Sequence, residues 1–254
     1  MALESRGIIL AKIEANYGID SLPTPDLNAI LTTKPSVELI SEDKEREVVL
    51  PYFGSLAAIP VTNGIKISFD VEVKGSGSAT TPPRIGALLR ACGFTQVVGA
   101  SEVDYNPNSA QDIESVTIYF YHDGILYKAL GCVGNSLKLT AKANEPVKIS
   151  FEFTGIFGGS ASFASTATMP TPIYGDVTTP PIFRSASFTF GTLTTANAII
   201  DALEISCTNT IAKRTDANAL YGVRRYSRTG REVSGSFDPE VIALGTWNPW
   251  SIYE

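Results

Sequence analysis

Three carboxylates and a single histidine are the residues of this chain best suited to chemistry. Paired acidic side chains can cleave a glycosidic bond, and Asp70, Glu72 and Glu152 are the candidates for that reaction. All three occupy the polar positions of alternating sequences, where solvated strand residues are typical. His122 is the only histidine, a residue type suited to acid–base catalysis, and it lies in a predicted hairpin turn, where we expect a structural role.

Cofactor and metal chemistry also lack a sequence signature. Cys92, Cys132 and Cys207 are an odd number without CxxC spacing, which argues against a zinc site or a disulfide framework and favours small buried residues. The sequence has no nucleophile elbow, zincin, phosphate-binding or dinucleotide-binding motif. We therefore expect no enzymatic activity, no metal and no cofactor.

The overall composition predicts a folded protein that does not bind nucleic acid tightly. Of the 254 residues 44% are hydrophobic and 18% are charged, which excludes a disordered chain. A formal net charge of −6 disfavours the basic grooves that hold phosphates. No apolar run reaches the length of a membrane span, and charges near the amino terminus do not fit a signal peptide. We expect a soluble chain made in the cytoplasm, without a membrane partner.

Alternation of apolar and polar residues is the dominant pattern. It is clearest over residues 65–73, where every odd position is apolar, and it recurs at 147–153. Such alternation predicts strands with one packed face and one solvated face. An Asp123-Gly124 turn is typical of a tight hairpin. The sequence predicts a four-stranded meander with strands at 115–121, 125–130, 136–140 and 147–153.

One helix is predicted over about residues 84–92. The preceding prolines suit a first helical turn, apolar residues from Ile85 to Cys92 follow helical spacing, and Gly93 fits a carboxyl-terminal stop. The predicted fold class is therefore mainly β, a β-sandwich or barrel with one flanking helix and long loops.

Composition predicts two lobes, and repeated short sequences predict a partial internal duplication. Residues 158–183 are rich in Pro, Gly, Ser and Thr and predict a linker between a first lobe, 1–157, and a second lobe, 184–254, packed on the first. The sequence SFDVEV at 68–73 recurs as SFDPEV at 236–241, and Asn28-Ala29-Ile30 recurs at 197–199. The second copy would stop early. Coincidence among common strand sequences is the alternative interpretation.

Two charged segments favour contact between identical chains. Residues 41–55 pass from a charged run to an apolar tip, with the candidate contact residues Glu42, Asp43, Glu45, Arg46, Glu47, Tyr52 and Phe53. Residues 213–232 are basic, with the candidates Arg224, Arg225, Arg228 and Arg231. Oppositely charged loops on one chain suit head-to-tail assembly into rings or filaments. Two solvated loops without a partner are the alternative.

Several strings resemble the tail tube proteins of long-tailed, non-contractile phages. They are AKIEANYGID at 11–20, REVVLPYFG at 46–54, PRIGALLRACGF at 83–94 and YNP at 105–107. The similarity covers most of residues 8–155 and again 185–245. Such proteins often continue with a helix and further strands after a segment like FDPEV, whereas this sequence ends at Glu254.

The resemblance implies a structural virion protein and not an enzyme. It implies a sandwich flanked by a helix, six copies per ring, and rings stacked into a hollow tube whose inner wall is a barrel built by all six copies. Its partners would be further copies of itself, the tape measure protein, the tail terminator and tail tip proteins, with double-stranded DNA passing without specific binding. It would assemble in the host cytoplasm and reside in the virion tail.

Three hypotheses assign residues to this function. Asp70, Glu72 and Glu152 would face the lumen, where a weakly negative wall repels phosphates. Residues 41–55 would form the arm between stacked rings, with 213–232 as its acceptor. Two alternatives remain open at this stage: a carbohydrate- or receptor-binding sandwich that uses Tyr119, Tyr121 and Tyr127, and a glycoside hydrolase that uses Asp70 or Glu152.

Overall fold

The structure is a computed structural model that describes residues 6–110, 114–157, 164–175, 178–190, 193–194, 199–219, 222–240, 242–248 and 250. It is mainly β, as the sequence predicts. The strands are β1 Gly7–Ile13, β2 Ala29–Ile30, β3 Thr32–Lys44, β4 Ile59–Glu72, β5 Phe94–Val98, β6 Val103–Pro107, β7 Val116–His122, β8 Ile125–Lys142, β9 Lys148–Phe157, β10 Ala164–Thr166, β11 Thr189–Phe190, β12 Leu193–Thr194, β13 Ile200–Thr215 and β14 Val223–Pro239. The helices are α1 Pro25–Asn28 and α2 Gly86–Ala91.

Three antiparallel hairpins lie side by side and form one face of the molecule. The strands follow the order β3-β4-β9-β8-β13-β14, so β3–β4 and β13–β14 flank the central β8–β9 hairpin. In the described residues β3 and β14 pair only with their own hairpin partners. They are the two edges of this row, which we call the six-strand row.

A bend in β8 turns this row into a sandwich. Its first half, up to Cys132, pairs with β7, which pairs with β1, while its second half, Ser136–Lys142, pairs with β13. Between the halves the register shifts, and Gly131 adopts a φ of 58°, a conformation that glycine tolerates well. The prediction of two separate strands at 125–130 and 136–140 is therefore wrong. β-Bulges keep this segment in one long strand.

The core lies between the two layers. Phe69, Phe151 and Phe153 stack with ring centroids 5.9–6.1 Å apart, and they share one buried cluster with β1 and β7 side chains such as Ile9 and Ile118. Burying each of these rings stabilises the fold by about 1.5–3 kcal/mol. The alternation that predicts strands at 65–73 and 147–153 thus also identifies the buried face correctly.

Local turn and helix signals are also confirmed. Asp123 and Gly124 have φ values of 42° and 89°, which match the hairpin turn predicted for them. Helix α2 is shorter than the predicted 84–92, because Ile85 is its amino-terminal cap and Cys92 its carboxyl-terminal cap. It buries Leu88 and Ala91 against the core.

The second segment of the chain adds to the sheet of the first. β13 pairs with β8 from Ala202 to Thr208, so β13 and β14 extend the same row. Of the predicted linker, residues 164–166 form β10 on β8, whereas 158–163 and 176–177 lie outside the described residues. The repeated sequence SFD lies at 68–70 in β4 and at 236–238 in β14, the second strands of the two outer hairpins. Its partner at 197–198 lies outside the described residues.

Candidate assembly surfaces

The three predicted lumen carboxylates share one face of the six-strand row. Asp70 accepts a hydrogen bond from the Ser150 hydroxyl at 2.6 Å, and these two residues are direct register partners. Glu152 forms an ion pair with Lys66 at 3.0 Å, and Glu72 with Lys74 at 3.2 Å. The structure therefore places these carboxylates on the face opposite the buried phenylalanines.

Register pairing extends this polar face across all six strands. Serine and threonine lie between its charged side chains. From Ser36 on β3 across the row to Ser236 on β14, the described register pairs place no aromatic residue on the face of Asp70. Its carboxylates outnumber its ammonium groups. The carboxylates are Glu38, Glu42, Asp70, Glu72, Glu152, Glu204 and Glu232, and the ammonium groups are Lys66, Lys138, Lys142 and Lys148.

The segment predicted as an arm projects from one end of the row. Residues 41–44 belong to the end of β3, and 45–58 form the loop that joins β3 to β4; we call residues 45–58 the arm. Val49 and Phe53 have relative accessibilities of 101% and 107%, so nothing in the described chain covers them. Glu45, Arg46, Glu47 and Tyr52 are also exposed, as are Glu42 and Asp43 at the end of β3.

The basic segment 213–232 is not a loop, contrary to the prediction. Its residues belong to β13 and β14, apart from the short connection between Thr215 and Val223. Lys213 forms an ion pair with Glu42 of the same chain. The two oppositely charged segments predicted to meet between copies thus lie beside each other in one copy.

Its arginines are also engaged within the chain. Arg224 pairs with Asp216 at 3.2 Å, and Arg225 lies over the Tyr17 ring at 5.1 Å. Arg228 donates to the carbonyls of Asn108 at 2.6 Å and Cys92 at 3.1 Å. The arginines that sequence reasoning assigns to a second copy therefore contact groups of their own chain.

The end of helix α2 explains why two of these arginines are needed. The last carbonyls of a helix lack partners within the helix and carry partial negative charge. Arg231 donates to the Gly93 carbonyl at 2.6 Å, and the Asn209 amide donates to the Cys92 carbonyl at 2.9 Å. Burial lowers the pKa of Arg228, and the neighbouring Arg231 lowers it further. β13 and β14 therefore hold the carboxyl end of α2.

The aromatic strand does not present a sugar-binding surface. Tyr119 pairs with Lys128 across the hairpin, whereas Tyr127 pairs with Phe120 and packs against the main core. The three tyrosines therefore do not share a face, which the carbohydrate-binding alternative would require. Tyr119 is buried, and its hydroxyl donates to Asp20. Burial, followed by that hydrogen bond, raises the pKa of Tyr119 above its ordinary value.

The remaining groups that could do chemistry are packed as structural residues. His122 stacks on Phe120 with ring centroids 5.4 Å apart. Cys92, Cys132 and Cys207 are buried, as predicted, and burial raises the pKa of the Cys92 and Cys132 thiols. Among the described residues, no three His, Cys, Asp or Glu side chains are grouped to hold a metal ion.

One buried carboxylate was missed by sequence reasoning. Glu14 accepts hydrogen bonds from the hydroxyls of Ser115 at 2.6 Å and Thr117 at 2.8 Å, and from the amides of Gly131 and Gly18, both at 2.7 Å. A buried charge needs such a set of donors. Because Gly131 lies at the bend of β8, Glu14 fixes that bend. A lone acid at the end of the apolar run 7–13 is the only sequence signal for it.

These features define a structural β protein, since its conspicuous surfaces are strand edges, a polar sheet face and an exposed arm. A family model described as phage tail tube protein matches residues 4–247, nearly the whole chain. The chain belongs to this family. The family is structural and resides in the virion tail.

Two further findings accompany this assignment. No curated protein matches the chain at the significance required. Neither helix of the described residues is sufficiently long and apolar to cross a membrane.

Proposed function

We propose that copies of this chain join edge to edge into rings, which stack into the hollow tail tube through which the phage genome enters the host. The observation that carries the proposal is a family match over residues 4–247 on a fold with two unpaired sheet edges in its described part. Unpaired edges are hazardous for a protein that works alone, and closing a sheet removes them.

The direction of the strands supports closure between copies. The six strands alternate in direction, so β3 and β14 run antiparallel to each other. When β14 of one copy lies beside β3 of the next, the pair is again antiparallel. An even number of strands per copy therefore allows one continuous antiparallel wall around a ring.

The side chains along these edges support the same contact. Leu39 on β3 is 52% exposed beside a cavity of 770 Å³ that is also lined by Val37, Phe120 and Tyr127. Val233 on β14 is 63% exposed. Both residues lie on the apolar side of the row, because Leu39 pairs with buried Ile65 and Val233 with buried Cys207. Joining the edges removes both from water.

The polar face then becomes the wall of the bore. Asp70, Glu72 and Glu152 would line it, with serine and threonine between them. An excess of carboxylates repels DNA phosphates, whereas a basic wall would retain them. The arm, with the end of β3, would join one ring to the next. Six copies per ring, assembly in the host cytoplasm, and contacts with tape measure, terminator and tip proteins complete the proposal.

Electron microscopy of the purified protein tests the proposal, with a matched pair of edge variants. We expect the natural chain to form rings or tubes, Val233→Asp to remain monomeric, and Ser234→Asp to assemble. Both aspartates add one charge to the same strand, but residue 234 faces the polar side. Monomers of the natural chain would overturn the proposed function. Equal assembly of both variants would overturn the edge contact alone.

The lumen assignment has its own test in a reconstruction of the tube. We expect Asp70 and Glu152 to line the channel and Phe69 and Phe151 to point into the wall. A phenylalanine from β4 or β9 in the channel would contradict the assignment.

A further inference from the structure

We infer that the arm of one copy docks into a groove at the opposite end of a second copy. The groove, which we call the basic groove, has a volume of 640 Å³. It is lined by the apolar residues Ile13, Leu27, Pro82, Pro83 and Ala87 and by the cations Lys12, Arg84 and Arg90. The inference rests on the proposed function and names the partner surface of the arm.

The register between β4 and β9 fixes the end of the row at which the arm lies. Gly64 at the arm side of β4 pairs with Ile156, and Glu72 at the other end pairs with Lys148. The arm therefore leaves the row at the end opposite the β8–β9 turn. β13 runs from that turn toward the arm, so the β13–β14 turn and the arm share one end.

The shared end makes the β13–β14 turn a poor acceptor for the arm in a head-to-tail stack. Rings that stack head to tail bring one end of a copy against the opposite end of another. The acceptor must therefore lie at the end that carries the β8–β9 turn. Lys213 and Glu42, which form an ion pair within one chain, both lie at this shared end.

The basic groove lies at the required end. Leu27 in α1 precedes the start of β3, and Ser76 and Arg84 belong to the segment that follows the end of β4. Leu27 is 73% exposed, so the groove already holds an uncovered apolar side chain. Arg84 donates to the Asp26 carbonyl at 2.7 Å, which holds its guanidinium at the rim.

The chemistry of the arm matches this groove. Its tip offers Val49 and Phe53, both fully exposed, and burial of such side chains stabilises a contact by about 1.5–3 kcal/mol each. Its stem carries the exposed carboxylates Glu45 and Glu47. The apolar tip and the carboxylates of the stem complement a groove with an apolar floor and the cations Lys12 and Arg84, whereas Arg90 is already paired with Glu114 of its own chain.

The larger cavity beside β3 is a poorer acceptor. It lies along the edge that the proposed ring contact covers, and its lining includes Lys34 but none of the three cations of the basic groove. Its apolar residues suit the exposed side chains of β14.

Disulfide trapping in assembled tubes tests the inference. The double variant Phe53→Cys with Ala87→Cys should give a ladder of covalent multimers under oxidising conditions, because each copy links to the next ring. The control Phe53→Cys with Arg214→Cys places the second thiol in the basic hairpin and should give no ladder. The natural cysteines are buried and do not compete.

Charge reversal provides a second readout. Lys12→Glu should allow rings but abolish long stacks, and adding Glu47→Lys should restore them. Tubes that yield no ladder with the Ala87→Cys pair, or a ladder with the Arg214→Cys pair alone, would overturn the groove and leave the tube function intact. A natural chain that forms neither rings nor tubes would instead overturn the function itself.

Discussion

The two outer hairpins occupy equivalent edges of one sheet but end in opposite ways. β3–β4 ends in the arm, whose apolar tip is fully exposed. β13–β14 ends in a short turn, where Asp216 accepts hydrogen bonds from the Asn218 amide at 2.9 Å and from its side chain at 3.1 Å. The difference shows that equivalent hairpins can end differently: one leaves its apolar tip exposed, and the other uses its polar groups for contacts within the chain.

Shortening each hairpin in the same way should separate these roles most strongly. Replacing 45–58 by an Asn-Gly turn should abolish stacking while rings persist, because the turn closes the β3–β4 pair without the arm. Replacing 216–222 by Asn-Gly should leave stacking intact. Electron microscopy gives the assembly state and thermal unfolding checks the fold. Long tubes from the first variant would contradict the role of the arm.

Variants in the β13–β14 hairpin should instead change the free energy of unfolding. Arg231→Ala removes a charged donor from the Gly93 carbonyl, and we expect the free energy of unfolding to fall by about 1.5–3 kcal/mol. Arg224→Ala removes an exposed ion pair of the same strand and should change the free energy of unfolding much less, because exposed ion pairs contribute little. Denaturant titration of both variants measures the difference. Equal effects would mean that the contact with α2 contributes little.

A pair of glycine variants sharpens the same point. Gly93 and Gly124 have φ values of 93° and 89°, so alanine strains the backbone at both positions by about 1–2 kcal/mol. At Gly93 the added Cβ would also collide with the guanidinium of Arg228, whereas at Gly124 it meets open space. We expect Gly93→Ala to lower the free energy of unfolding by about 1 kcal/mol more than Gly124→Ala, measured by denaturant titration. Equal losses would show that Arg228 relaxes freely.

The smallest expected effect concerns acid and the short turn. The hydrogen bond from the Asn218 amide, with further contacts from Asn218 and Arg224, lowers the pKa of Asp216 below its ordinary 3.8. A lowered folded pKa means that the contribution of this carboxylate is present above 3.8 and is lost as the pH falls through the lowered value. NMR titration should show the Asn218 amide released in that range. Asp216→Asn should abolish this transition.

Sequence patterns predict best where one periodicity decides the structure. The alternation at 65–73 and 147–153 identifies both the strands and their buried faces, because a shift by one residue would expose three phenylalanines. The helix and the Asp123-Gly124 turn follow from equally local signals. The exposed tip of the arm follows from an apolar sequence that does not alternate with polar residues and therefore does not predict a strand with a buried face.

The errors arise where distant contacts override local patterns. Residues 131–135 have the composition of a turn, but bulges and the buried Glu14 keep them within β8. Arg228 looks like a loop residue, yet its partner Cys92 lies 136 residues away in the sequence. The basic groove combines residues from β1, α1, α2, β5 and two loops, so no single segment of the sequence predicts it.

The hydrogen bonds from β14 to the end of α2 have a consequence for the order in which such a tube grows. α2 carries Ala87 and Arg90, and its far end is held by Arg228 and Arg231 of an edge strand. In the proposed ring, a neighbour that pairs with β14 would hold this strand in place and, through it, the helix. Closure of a ring would then order the basic groove that receives the arm of the next ring. The cylinder should therefore lengthen by whole rings and not by single subunits.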